Sequence, residues 1–148
     1  MMLEIDAAVI ERILSDEEIK ILLGSSNDDE RIYSWNPPQN IVYSNNKTSA
    51  LFYRNSINKR GMWSYPSQFH NILYFFRVVS LNETKAQRII EKLIDLFDAN
   101  NNNSLETDHF SVKKIDFSNK TDSPNEGTTS FPLYVKNISF NFTNIFRR

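Results

Sequence analysis

The fold is decided by residues 69–97, which read FHNILYFFRVVSLNETKAQRIIEKLIDLF. From Ile72 to Val79 apolar residues occupy both the odd and the even positions. This pattern is typical of a strand that is buried on both faces, or of a central strand that is packed on one side and contacted on the other. Apolar residues then recur at helical spacing from Ala86 to Phe97. A helix with one apolar face needs a sheet beneath it. The stretch therefore predicts a central strand followed at once by an amphipathic helix.

The bulk composition narrows the class of protein. A chain of 148 residues predicts a single domain, 1–148, with one core. Its formal net charge of -1 gives no global attraction to nucleic acid or to an anionic membrane. It contains no cysteine, which excludes disulfides, thiolate metal sites and cysteine nucleophiles. Because the sequence shows neither a secretory signal profile nor an apolar run near the roughly 20 residues of a membrane helix, we expect no export signal and no membrane span.

The N-terminal region predicts a broken helix. Apolar residues keep helical spacing from Ile5 to Leu14, and Ser15-Asp16-Glu17-Glu18 then has the form of a capping box that opens a second short helix. Gly24, followed by polar residues, provides a C-terminal stop.

Short extended segments follow before the central strand. Arg31–Trp35 reads as a strand that Pro37-Pro38 ends, because proline cannot donate to a ladder. Ile41–Tyr43 reads as extended again, and Ala50–Tyr53 is expected to pair back on it as a hairpin across the polar turn 44–49.

Two strands are expected after the amphipathic helix. Phe110–Phe117 is extended in character, with a parity slip at Lys113-Lys114 that indicates a bulge. Residues 118–130 read as a polar loop, and 131–146 as a strand whose alternation buries one face. The fold class predicted is α+β: an antiparallel or mixed sheet with the broken N-terminal helix and one amphipathic helix packed on one face, in the order α-β-β-β-α-β-β.

The sequence contains no assembled catalytic, cofactor or metal motif. His70 and His109 are the two histidines, and neither has a partner at metal-ligand or nucleophile spacing. Residues 98–109 resemble a calcium loop in part, but Asn103 stands at its glycine position and His109 at its bidentate glutamate position. We therefore expect no metal and no cofactor, with calcium in this loop and carboxylates that converge in space as the alternatives.

The stretch Arg54 to Gln68 is the candidate functional loop. Its mixture of basic and aromatic residues suits a protein interface, plain hairpin packing or nucleic acid, and the overall acidity disfavours the last. A subunit or tube interface is the reading that we adopt. The candidate interface residues are Arg54, Lys59, Arg60, Met62, Trp63 and Tyr65.

Three short motifs carry a family resemblance. They are Leu23-Gly24 at a helix end, Arg31-Ile32-Tyr33 at a strand start, and Ile41-Val42-Tyr43 as an extended segment ending in tyrosine. In this order the chain resembles the tail terminator (tail-completion) proteins of tailed phages. Where that family has a proline before the second strand, this chain has Asn40, with Pro37-Pro38 displaced upstream. A head-tail joining or neck protein of similar build is therefore the alternative.

The resemblance implies a structural protein of the virion, not an enzyme. Such proteins form a homo-oligomeric ring, typically of six subunits, that caps the head-proximal end of the tail tube and stops tube polymerisation. Their partners are the tail tube protein and the neck or connector, with no membrane and no specific nucleic-acid binding. The expected location is the tail or neck region of a virion assembled in the host cytoplasm. A small hydrolase or ligand-binding domain is the alternative from another class, and a deep polar pocket holding His70 or His109 beside a carboxylate would favour it.

Overall fold

The sheet is mixed and carries its helices on one face. A computed structural model describes residues 2–35, 41–58, 68–98, 104–127 and 132–147, and within them three helices and six strands occur. The strand order is β1-β2-β3-β6-β5-β4, with β1 parallel to β2 and the other pairs antiparallel. The elements are α1 (Met2–Leu14), α2 (Glu17–Leu23), β1 (Ile32–Ser34), β2 (Ser49–Asn58), β3 (Gln68–Ser80), α3 (Glu83–Phe97), β4 (Leu105–Glu106), β5 (Phe110–Gly127) and β6 (Pro132–Arg147). The predicted α+β fold and its element order are confirmed, with the two-residue β4 as an addition.

The predicted central strand and helix form the middle of the molecule. β3 lies between β2 and β6, and its alternate residues from Ile72 to Val78 are buried against the helices while Leu73, Phe75 and Arg77 stay half-buried on the other face. Of the two alternatives for this strand, a central strand that is packed on one side and contacted on the other is the correct one. Phe76 and Val78 of this strand share one buried cluster with Ile90, Leu93, Phe140 and Phe142.

The N-terminal helix is broken as predicted, although its cap differs by one residue. Asp16, not Ser15, is the N-cap of α2, since its carboxylate accepts from the amides of Glu18 and Ile19 at 2.9 and 3.2 Å. Gly24 ends α2 in the left-handed region, with φ 75°. A side chain there would meet the backbone of Asn46 and Lys47, so only glycine fits this close approach without a shift.

The predicted hairpin between Ile41–Tyr43 and Ala50–Tyr53 is wrong. β2 pairs with β3 along its length and with β1 through Leu51–Tyr53, while residues 41–43 form no strand. Ile41 and Tyr43 instead pack on the helix-free face of the sheet, against a small cluster that includes Phe52 and Val135. Burial of that second face takes precedence over local pairing across the turn.

Two polar side chains hold the joint between β3 and α3. Ser80 is the last residue of β3, and its hydroxyl accepts from Asn82 N at 3.1 Å and from Ser49 Oγ at 2.8 Å. Asn82 is the N-cap, accepting from Lys85 N at 3.1 Å. The hydroxyl therefore serves the strand-to-helix joint, and the amide side chain serves the helix.

β5 is longer than the sequence predicted. The expected loop at 118–130 is wrong as far as Gly127, which is the last residue of β5. The bulge expected at Lys113-Lys114 is also misplaced: register shifts lie between Phe117 and Asn119 and between Ser123 and Glu126. The break in the alternation of buried residues is nevertheless present, since Val112 and Ile115 are both buried. On the facing strand β6, Asn144 has a φ of 52° near the same position. Residues 118–127 include no large apolar side chain, so no apolar alternation in the sequence indicates that they form a strand.

Candidate functional site

The predicted interface loop is shorter than the sequence indicated. β2 continues to Asn58 and β3 begins at Gln68, so only 59–67 joins them. Arg54 lies in β2 and is exposed on the helix-free face. Lys59, Arg60, Met62, Trp63 and Tyr65 lie outside the described residues, and their role stays a prediction.

Arg54 belongs to a cluster that sequence analysis missed. Its guanidinium carbon lies 4.6 Å from the ring centroid of Trp35 and 4.6 Å from that of Phe75, and the guanidinium carbon of Arg77 lies 4.5 Å from Trp35. We call Trp35, Arg54, Phe75 and Arg77 the arginine–aromatic cluster. Cation–π contacts at these distances hold both guanidinium groups against ring faces.

The sheet places the members of this cluster side by side. Arg54 and Phe75 are register partners between β2 and β3, and Arg77 stands two residues further along β3 on the same face. Trp35 follows β1, which the pairing of Tyr33 with Phe52 aligns beside β2. The sequence feature that indicates this cluster is Arg77, a charged residue among the odd-numbered positions of an otherwise apolar strand.

The arginine–aromatic cluster forms one wall of a cleft of about 210 Å³. Polar residues of β5 and β6 form the other wall, namely Asn119, Thr121, Asn137 and Ser139. Arg77 Nε donates to Asn137 Oδ1 at 3.0 Å, and Asn137 Nδ2 donates to Ser123 Oγ at 2.5 Å. This relay fixes the plane of the Arg77 guanidinium in the cleft.

The two cationic groups of the cleft lack acidic partners among the residues that the structure describes. Arg31, Arg88 and Lys92 all form salt bridges there, whereas Arg54 and Arg77 form none. Within the part of the chain that the structure describes, the cleft therefore carries two positive charges without an ion-pair partner, on a chain whose formal net charge is -1.

Both edges of the sheet leave strand segments uncovered within the described ranges. β1 pairs with β2 only through Tyr53, and β4 pairs with β5 only at Ser111 and Val112. Further along β5, Phe117 N donates to Asp98 Oδ1 at 3.1 Å, so the end of α3 covers that position. Among the described residues, 54–58 of β2 and 118–127 of β5 have no second strand partner, and we call them the open segments. Open edges of this kind are the usual templates for pairing with another chain.

The histidine that the structure describes does not lie in a deep pocket. His109 meets a carboxylate, with Nδ1 3.0 Å from Glu4 Oε2, but its side chain is 70% exposed. The carboxylate of Glu4 also accepts from His109 N at 2.7 Å. Hydrogen bonds from the Thr107 hydroxyl and the His109 amide lower the pKa of Glu4 from 4.5 to about 2. This pair joins the first turn of α1 to the turn before β5. The side chain of His70 lies outside the described residues.

The partial calcium loop is described only at its ends. Asp98 is the C-cap of α3, and the segment 99–103 lies outside the described residues. Among the residues that are described, no group of three or more histidines and carboxylates is arranged to hold a metal ion. No helix in the same ranges has the length and apolarity that a membrane span requires.

Comparisons with known proteins add information on the fold. No protein-family model and no curated protein matches the chain. Thirteen solved chains match it, and one of these is similar over 100% of this chain and 96% of its own length, with a TM-score of 0.57 and 9% sequence identity. At that identity the likeness shows a shared fold alone.

Proposed function

We propose that the chain is a tail-terminator-like structural protein, which forms a ring at the head-proximal end of a phage tail tube and stops its growth. The tube protein and the neck or connector are its partners, and it works by recognition without catalysis. The proposal rests on the resemblance carried by Leu23-Gly24, Arg31-Ile32-Tyr33 and Ile41-Val42-Tyr43. The α+β fold and element order that this resemblance implies agree with the observed architecture.

The observation that best supports ring formation is the pair of different open edges at opposite sides of one sheet. A cyclic ring of more than two copies needs a heterologous contact, in which one surface of a copy meets a different surface of the next. Within the described ranges, segment 54–58 of β2 and segment 118–127 of β5 have no second strand partner, and they provide two such surfaces.

The strand directions are compatible with this contact. β2 and β6 run one way, whereas β3 and β5 run the other, because each successive pair in the series β2-β3-β6-β5 is antiparallel. The β2 edge of one copy would therefore meet the β5 edge of the next as an antiparallel pair. Main-chain hydrogen bonds between such edges are a common means of association.

The role of the β2 edge in assembly can be tested by removing one backbone N–H group. Leu51 N donates away from β3 to Arg31 O at 2.9 Å, so the amide of Asn55, four residues on, points outward as well. Asn55→Pro removes this outward donor and leaves the ladder with β3 intact, since proline is tolerated at strand edges. Asn55→Ala is the matched control, because both variants lose the hydrogen bond from Asn55 Nδ2 to Asp6 Oδ1.

Native mass measured with and without tail tubes provides the readout. We expect the wild type and Asn55→Ala to give an assembly of about six times the 17.3 kDa chain and to stop tube growth, whereas Asn55→Pro stays folded but fails to assemble. A wild type that stays monomeric even with tubes present contradicts the proposal. A ring that forms but leaves tube growth unchanged would indicate the head-tail joining alternative.

A further inference from the structure

We propose that the cleft beside the arginine–aromatic cluster binds the carboxylate side chains of an acidic protein segment. The inference goes beyond ring formation and stands without it, since the cleft lies within one chain. It is carried by two arginines, Arg54 and Arg77, that share one face of the sheet with no acidic partner in the described residues.

Stacking on the rings does not use the donor edges of either guanidinium group. A guanidinium that lies over a ring uses its flat face for the cation–π contact, while its N–H groups point outward in the plane of the fork. Arg77 uses Nε to donate to Asn137, and Arg54 donates no hydrogen bond to the rest of the described chain. The remaining N–H groups match the two oxygens of a carboxylate.

The cluster is also held in place before any ligand arrives. Arg54 contacts both Trp35 and Phe75, and Arg77 is fixed by the relay through Asn137 to Ser123. Long side chains that are already ordered lose less conformational entropy on binding than free ones do. Pre-ordered arginines therefore favour a specific contact over diffuse attraction.

The opposite wall suits the main chain of a bound segment. Asn119 and Thr121 of β5 and Ser139 of β6 present amide and hydroxyl groups, which donate to carbonyls and accept from amides. The cleft thus combines charge recognition on one side with neutral polar contacts on the other.

An acidic protein fits this cleft better than a nucleic acid does. Single-stranded nucleic acid binds by stacking its bases on free aromatic faces. Here Trp35 and Phe75 already carry guanidinium groups on their rings, and the chain has a net charge of -1. Carboxylates need the donor edges alone, and these edges are what the cluster presents.

The test measures binding of a fluorescein-labelled peptide of alternating glutamate and serine by fluorescence anisotropy, with a glutamine-serine peptide as the uncharged probe. Replacing Arg54 or Arg77 by Gln should weaken binding of the glutamate peptide roughly ten- to a hundredfold, the factor expected for loss of a charge-assisted hydrogen bond. Arg54→Lys and Arg77→Lys should recover only part of it, because lysine keeps the charge but lacks the fork.

Lys113→Gln provides the matched control. It removes the same single charge from an exposed side chain of β5 outside the cleft, and should change the affinity less than about twofold, since exposed charges act weakly at a distance. Thermal melts establish that each variant is folded. Equal affinity for the two peptides, equal loss in the control variant, or tighter binding of a single-stranded oligonucleotide that competes for the cleft would each overturn the proposal. A failure of ring assembly would leave the peptide result unaffected.

Discussion

The guanidinium carbon of Arg31 lies 5.3 Å from the ring centroid of Tyr43, so two of the motifs that carry the family resemblance meet in space. Arg31 is 1% exposed, and it donates from Nε to Ser49 O at 3.1 Å and from a terminal nitrogen to Lys47 O at 3.3 Å. Its backbone has a φ of 62°. Arg31 therefore ties the start of β1 to the segment that leads into β2.

Replacing Arg31 by Ala should destabilise the fold by about 3 kcal/mol, since it leaves buried carbonyl oxygens without charged donors. Arg31→Lys should recover less than half of the loss, because an ammonium group cannot reproduce the two-point contact with Ser49 O and Lys47 O. Urea melts provide the free energies of unfolding. If Arg31→Lys is as stable as the wild type, the fork geometry is unimportant and charge alone accounts for the effect.

The aromatic core provides a second stability prediction. Phe140 is 0% exposed, with its ring centroid 6.0 Å from that of Phe76 and 5.5 Å from that of Phe97. Phe140→Ala should cost on the order of 3 to 5 kcal/mol, because it removes a fully buried ring and leaves a cavity. Phe146→Ala, at a residue that is 42% exposed on the same strand, is the control and should cost much less. A change near zero for Phe140 would indicate that this face of β6 is an interface.

The helix-facing core was predictable because its pattern repeats. The alternation of Phe140 and Phe142 and the helical spacing of Ile90 and Leu93 both reflect one buried face, and the structure places these residues in one cluster. The partners of β2 were not predictable in this way. Residues near Tyr43 cover the helix-free face of the sheet and do not pair with β2, which pairs with β1 and β3 instead. No local sequence pattern indicates this arrangement.

The candidate site, like the fold, was predictable from the sequence only in part. Arg54 was singled out by composition, but its contacts with Trp35 and Phe75 depend on strand register between β1, β2 and β3. Arg77 was visible as a charge in an apolar strand, yet its role depends on Asn137, which is 60 residues away in sequence. Register and long-range contacts of this kind arise from the packing of the whole sheet.

The contact between Glu4 and His109 predicts a pH-dependent contribution to stability. Because the pKa of Glu4 is lowered to about 2 in the folded chain, its carboxylate favours folding above its ordinary pKa of 4.5, and this contribution is lost as the pH falls through 2. Glu4→Gln should therefore unfold more easily than the wild type at pH 7, and the difference should shrink below about pH 4. Denaturant melts at several pH values measure it.

Glu11→Gln is the matched control on the same helix, since Glu11 forms no ion pair among the described residues. Its free energy of unfolding at pH 7 should differ little from that of the wild type. A difference between Glu4→Gln and the wild type that stays constant from pH 7 to pH 2 would assign the effect to packing of the side chain and not to its charge.

The last prediction concerns the loop between β2 and β3, whose residues 59–67 lie outside the described ranges. Trp63 and Tyr65 stand there among the basic residues Lys59 and Arg60, and tryptophan, tyrosine and arginine are the types most enriched at the centres of protein interfaces. The double variant Trp63→Ala with Tyr65→Ala should keep the fold, because the core is built from other elements. It should weaken ring formation or tube capping, with about 2 kcal/mol or more of binding free energy lost for each truncated aromatic side chain.

Ile21→Ala with Val42→Ala is the control, since it truncates side chains that are 76% and 63% exposed on other parts of the chain. Native mass and tube-length assays should separate the two variants. Normal assembly and termination by the Trp63 and Tyr65 variant would show that the contact surface lies elsewhere, with the open strand edges as the remaining candidate.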